Sequence, residues 1–234
     1  MQRYCQCNYW ISDAECVGTV NGFPVFNTSL EGGSGGGPVD PYLIGKDNIF
    51  RLEVNKLGKN PSIRFEVREM SEGDMADSTN LPDVEIPTEI PAVIEHRFDS
   101  EADHFNSILN TLKPTDPDEM IEFGVKLRDV FRNGDLDTVQ KLHRPKTELI
   151  AAVMGAPVEV MEGSLGEMLS VFSGTDFSFE KDDLEALPHC EGRIWEVRRR
   201  NGKPLLHGDD PEGGGSISIT IYAANTENGP AIVA

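Results

Sequence analysis

Apolar and polar residues repeat with two different periods along this chain, and the change of period divides it. Ser62-Ile63-Arg64-Phe65-Glu66-Val67-Arg68 alternates strictly, as a strand does with one face on a core and the other in water. Residues 49–54 alternate in part, and Asn60-Pro61 punctuates the interval between the two runs. Upstream, residues 10–12 and 16–20 are short β-prone runs. Asn21-Gly22 then predicts a tight hairpin turn, because both central positions of that turn need positive φ. Pro24 in the following run suits an edge strand or a strand start. Residues 1–72 therefore read as an antiparallel, β-sandwich-like domain.

Beyond residue 100 the period becomes helical. Phe105, Ile108, Leu109 and Leu112 form one stripe, closed by Pro114. Asp116-Pro117 opens a second helix carrying Met120, Phe123, Leu127 and Phe131, and Asn133-Gly134 stops it. A third runs from Asp135 to Pro145, a fourth from Lys146 to Met154, and the set Met161, Leu165, Met168, Leu169 and Phe172 fits a fifth. Strands return at 177–179, 192–198 and 204–206, with Asn201-Gly202 joining the last two as a hairpin. Residues 216–222 alternate best of all, and 231–233 read as a terminal strand. Between the two parts, residues 73–100 are acidic and carry Pro82, Pro87 and Pro91, which predicts an extended connecting segment. Strands, then helices, then an antiparallel sheet give the α+β class, with an α+β domain over 101–234.

Composition narrows the function classes. The net charge of −19 argues against nucleic acid, whose phosphates need a basic face. It favours instead solubility, a partner with a basic surface, or life in a salty medium. No apolar run approaches the length that spans a bilayer, and the N-terminal residues lack a leader's apolar stretch, so a cytoplasmic location is expected. Cys5, Cys7, Cys16 and Cys190 do not show the C-x-x-C spacing of zinc ribbons, and buried thiols in a reducing compartment are the plain reading.

Two resemblances bear on the fold. The order Asn21-Gly22, Leu43, Gly45, Asn48, Leu52, Val54 is similar to one edge of galactose-binding-like jelly rolls, over about forty residues consisting mainly of turn chemistry. It departs from them by the extra Lys46-Asp47 and the added glycines, and it implies a β-sandwich. The nine residues 131–139, Phe-Arg-Asn-Gly-Asp-Leu-Asp-Thr-Val, resemble the helix-to-helix junction of NTF2-like domains. That resemblance implies a curved, cone-shaped sheet with a pocket against a long helix, hosting an enzyme or a binding module.

Candidate chemistry is sparse. His143 with Asp135 or Asp137 would make a general-base pair if the helices brought them together. Asp209, Asp210 and Glu212 gather carboxylates in one loop, as a hard cation wants, but without the EF-hand spacing. The glycine cluster in EGGSGGGPVDPYLIGKDN lacks the Gly-Lys-Ser/Thr of a phosphate loop, and Asp47 would repel phosphate. It reads as a mobile loop, with weak order at 31–37. No cofactor is expected. The leading expectation is a non-catalytic binding or interaction protein. The alternatives are an NTF2-like small-molecule binder or enzyme, and an acidic inhibitor or immunity-type protein that blocks a basic partner.

Overall fold

The computed structural model describes residues 3–71, 86–172, 177–209 and 216–234. The chain is α+β, and its backbone divides into two compact units, 1–107 and 108–234.

The first unit is one curled antiparallel sheet built around two long strands, β1 (Arg3–Val20) and β4 (Asn48–Ser71). β2 (Phe23–Thr28) and β3 (Gly33–Pro38) share the free side of β1, while β5 (Ala92–Phe98) adds to the first half of β4. β5 lies inside the segment expected to be a connector; its residues alternate between half-buried and exposed, and they finish the sheet.

Where the sequence shows several short runs, the structure has two continuous strands, and the reason is a bulge. Cys5, Cys7 and Ile11 face the core from odd positions, whereas Ala14, Cys16 and Val20 face it from even ones. The phase changes at Asp13, which takes a φ of 52°. Across the ladder, Ser12 pairs with Ser62 but Ala14 pairs with Leu57, so residues 58–61 of β4 are extra at this point. The Asp13 carboxylate fills the space they enclose and accepts the Asn60 N–H at 2.6 Å. The inward set on β4 changes phase from Phe50, Leu52 and Val54 to Leu57, Ile63, Phe65 and Val67 at a second shift nearby, where Glu15 pairs with Lys56 and Cys16 with Val54, leaving Asn55 extra. A bulge sharpens the twist, which fits the curl of the sheet. The core holds Phe50 stacked on Phe65 at 4.1 Å and Tyr9 stacked on Phe26 at 4.4 Å.

The glycine cluster is corrected from a mobile loop to an ordered edge strand. β3 pairs with residues 6–11 of β1 through backbone bonds, which glycine makes as well as any residue. Side chains of β1 then take the space that side chains on β3 would have filled. A Cβ on Gly35 would lie 3.0 Å from the Tyr9 hydroxyl, and one on Gly36 would lie 2.1 Å from the Asn8 amide oxygen.

The Asn21-Gly22 turn forms as expected, with φ of 51° and 80°. It is latched from within. Asn48, fully buried, accepts the Ile44 N–H and the Asn21 side-chain N–H, each at 2.9 Å, and donates to the Gly45 carbonyl. Asn21 in turn accepts the Ile49 N–H at 2.9 Å and donates to the Tyr42 carbonyl at 2.7 Å.

After α1 (His104–Leu109), the second unit places α2 (Pro117–Asn133), α3 (Leu136–Met154) and α4 (Val158–Phe172) with a four-stranded antiparallel sheet. Its strands are β6 (Leu184–His189), β7 (Ile194–Arg199), β10 (Ile221–Thr226) and β11 (Gly229–Ile232), in the order β11-β10-β7-β6. β8 (Leu206–Asp209) and β9 (Ser216–Ile219) make a separate ribbon. α2 lies on β6 and β7, while α3 lies on β11 and α4. Gly124 marks the closest approach of α2 to the sheet, since a Cβ there would come within 2.8 Å of Val197.

Several expected elements change. Pro145 does not end a helix: α3 continues through it, because Thr147, Leu149 and Ala151 carry the buried stripe of Val139, Leu142 and His143 onward. The run 216–222 is two strands, since β9 pairs with β8 while β10 pairs with β7 and β11. Residues 201–202 make a turn without a hairpin ladder; β7 and the segment after it share one bridge, Arg198 with Pro204. Residues 177–179 are not a strand, and β6 was not anticipated.

Replacing Asn48 by Ala leaves the Ile44 N–H and Gly45 carbonyl without their partner in the core. It is expected to cost about 2–3 kcal/mol of stability in urea unfolding, a loss that Asn21→Ala repeats only in part.

Candidate functional site

The sequence-derived candidates are not brought together by hydrogen bonding. Asp135 is the N-cap of α3, and both of its carboxylate oxygens are engaged by Thr138, one by the backbone N–H at 3.1 Å and the other by the hydroxyl at 2.6 Å. Those bonds hold its carboxyl below the usual range. Asp137 is exposed in the first turn of α3. His143 is buried on the opposite, core-facing side of the same helix, beside Phe131. Its Nδ1 lies 3.0 Å from the Val139 carbonyl, an acceptor, so Nδ1–H is the donor. Burial pushes its pKa down to about 4, and the nearby charge of Lys146 adds to the effect. His143 is thus a neutral core histidine near pH 7. Asp209 closes β8, but its side chain lies outside the described residues, as do Asp210 and Glu212.

The cysteines are buried. Cys5, Cys7 and Cys16 line the core of the first unit, and burial pushes Cys7 up to about 12 and Cys16 up to about 11. Cys190, in the second unit, is pushed to about 12 for the same reason. Protonated thiols of this kind pack as small hydrophobes and are poor nucleophiles. Among the described residues no group of three or more His, Cys, Asp or Glu is placed to hold a metal ion. No helix described is long and apolar enough to cross a membrane.

The concave surface of the second unit lies around the β10–β11 hairpin. On one side, between α3, α4 and the hairpin, is a groove of about 640 Å³ lined by Asp137, Lys141, Arg144, Glu148, Glu162 and Asn228 among others. Arg144 is fixed there, donating from Nε to Glu148 at 2.6 Å and from Nη1 to Glu162 at 2.7 Å, and so ties α3 to α4. On the other side is a groove of about 490 Å³ with Asp118, Glu119, Glu122 and Lys126 around Phe123. Pro230 lines both grooves, so the hairpin tip stands between them.

Electrostatics across the two grooves favour cations. Six carboxylates (Asp118, Glu119, Glu122, Asp137, Glu148, Glu162) face Lys126, Lys141 and Arg144. Glu148 and Glu162 are taken by Arg144, and Glu122 is taken by Lys181 at 2.7 Å, which holds its carboxyl low. Asp118, Glu119 and Asp137 make no ion pair among the described residues. Asp118 and Glu119 also sit in the first turn of α2, where the helix dipole favours negative charge. Of this arrangement the sequence reading named Asp137 alone. The signal for it was Asn228-Gly229 between two β-prone runs, a hairpin dipeptide of the same type as Asn21-Gly22.

The depressed pKa of His143 fixes a direction with pH. The folded state resists protonating this ring, whereas the unfolded chain takes the proton near pH 6.5, so its contribution is complete above that pH and is lost as pH falls towards 4. Unfolding free energy is expected to drop by up to about 3 kcal/mol over that interval from this group. His143→Gln, which keeps a donor but does not titrate, should remove that part of the slope when urea curves at pH 7 and pH 4.5 are compared.

Compared with protein-family models, curated proteins and solved structures, the chain matches none.

Proposed function

We propose that this chain is a non-catalytic binding protein that holds a basic polypeptide segment around the β10–β11 hairpin. The observation that carries the reading is the trio of Asp118, Glu119 and Asp137. These carboxylates flank the hairpin on both sides and make no direct ion pair among the described residues, although the charge of Lys181 is felt at Asp118, and the buried ring of Phe123 forms part of the groove beside them. A lysine or arginine side chain satisfies such a surface with its charge meeting the carboxylates. The net charge of −19 extends the attraction beyond the groove and speeds encounter with a cationic partner.

A second reading, a small polar ligand in the larger groove, draws on its volume of about 640 Å³ and on Arg144 held rigidly between two glutamates. In that case an uncharged or anionic ligand would use the guanidinium edge, and its affinity would depend little on salt.

The distinguishing experiment is calorimetric titration with decalysine at 20 mM and 300 mM NaCl. Binding at low salt is expected to weaken more than about tenfold at high salt. The triple change Asp118→Asn, Glu119→Gln, Asp137→Asn should remove most of it. Three neutralisations in the first unit, Glu31→Gln, Asp47→Asn and Glu89→Gln, serve as the control for overall charge. Equal losses from the two triple variants would sink the proposal, because attraction would then belong to net charge rather than to this surface.

A further inference from the structure

Among the described residues, the outer edge of β3 carries no charged side chain, and its one proline stands at its last position. Edge strands present unsatisfied N–H and C=O groups, and proteins blunt them with proline, charge or a covering element. β2 contains Pro24, β5 carries Glu95, His96 and Arg97, and β6 contains Glu185 and Pro188. β11 contains Pro230. The part of β4 that extends past β5 carries Lys56, Lys59, Arg64 and Arg68. β3 reads Gly-Ser-Gly-Gly-Gly-Pro, has no charge, and pairs with β1 alone among the described residues.

The register shows which groups this edge offers. The Val39 N–H donates to the Cys5 carbonyl at 2.9 Å, so the odd residues of β3 turn their backbone groups towards β1. Ser34 and Gly36 therefore direct both N–H and C=O outward, while Pro38 directs only its carbonyl there and offers that edge no donor. Residues 33–36 are exposed.

The glycines also change what an incoming strand would meet. The Tyr9 ring lies across Gly35 on one face, and the Asn8 side chain lies across Gly36 on the other. Trp10, opposite Ser34 and on the same face as Asn8, is 43% exposed, with the Arg64 guanidinium 5.1 Å from its ring centre. Side chains of β1 thus reach over a strand nearly without side chains, and would contact the next strand along.

We propose that the outer edge of β3 accepts an extended segment of a partner polypeptide as an added antiparallel strand. Backbone bonds to Ser34, Gly36 and Pro38 supply the pairing, and apolar side chains at alternate positions of the segment lie against Trp10 on one face and Tyr9 on the other. A second copy of this chain is disfavoured as the occupant. Two β3 edges would set glycine against glycine with no side-chain contact, and each copy brings a charge of −19.

The test uses the full chain and a blocked nonapeptide, Lys-Val-Thr-Val-Lys-Val-Thr-Val-Lys, with NMR-detected amide exchange. Saturating peptide is expected to slow exchange at Ser34 and Gly36 by at least about tenfold and to shift the Trp10 indole N–H. An alternately N-methylated peptide, which has lost its donors on one edge, should protect neither amide. Ser34→Pro removes an outward donor while keeping every bond to β1, and should abolish the protection of Gly36 without lowering the melting temperature. Unchanged exchange at Ser34 and Gly36 would overturn the proposal, and so would protection that grows with protein concentration alone, which would assign the edge to self-association.

Discussion

Each strand must place its peptide groups somewhere, and that requirement shapes both units. In the first, β1 is long enough to serve three neighbours, and β2 and β3 divide its far side between them because each covers only a part of it. In the second, β11 ends the sheet order, and α3 packs on it. The larger groove follows from that packing: a helix laid beside a hairpin leaves a trough where its exposed side, with Asp137, Lys141 and Arg144, runs past the turn. The candidate binding surface is therefore a by-product of how α3 packs beside the hairpin, furnished with charge by helix residues that face away from the core.

What could be read in the sequence follows the range of the interactions involved. Local chemistry was legible. Asp116 and Pro117 start α2 where they should, with the Asp116 side chain accepting the Asp118 N–H, and Gly134 ends it in the left-handed conformation. Asn21-Gly22 makes its turn because the dihedral requirement lies within two residues. Long-range decisions were not legible. Nothing near 216–222 says that Thr220 is where the chain leaves one sheet for another, since both halves alternate and only their partners differ. Pro145 reads as a terminator by its own chemistry, and is overridden by the burial of residues after it.

The site was legible only in fragments for the same reason. Its acids come from the starts of α2 and α3, where carboxylates also serve the helix ends, so their sequence signal is indistinguishable from ordinary capping. His143 drew attention as a titratable group, yet helical periodicity already placed it near Val139 on the inward stripe, where a neutral ring bonded to a carbonyl is what packing demands. The glycine cluster misled in the opposite direction. Glycine implies freedom when nothing touches it, and here the neighbours that remove the freedom, Tyr9 and Asn8, lie some thirty positions away along the chain.

The bulge at Asp13 works as an expansion joint. Because four residues of β4 loop out against it, the two halves of the long ladder keep separate registers, and each satisfies the core from its own phase. A misalignment in the half that includes Cys5, Cys7 and Ile11 therefore need not propagate into the half that includes Cys16 and Val20. The sheet behaves as two short ladders in series, with a carboxylate and a backbone N–H as the coupling between them.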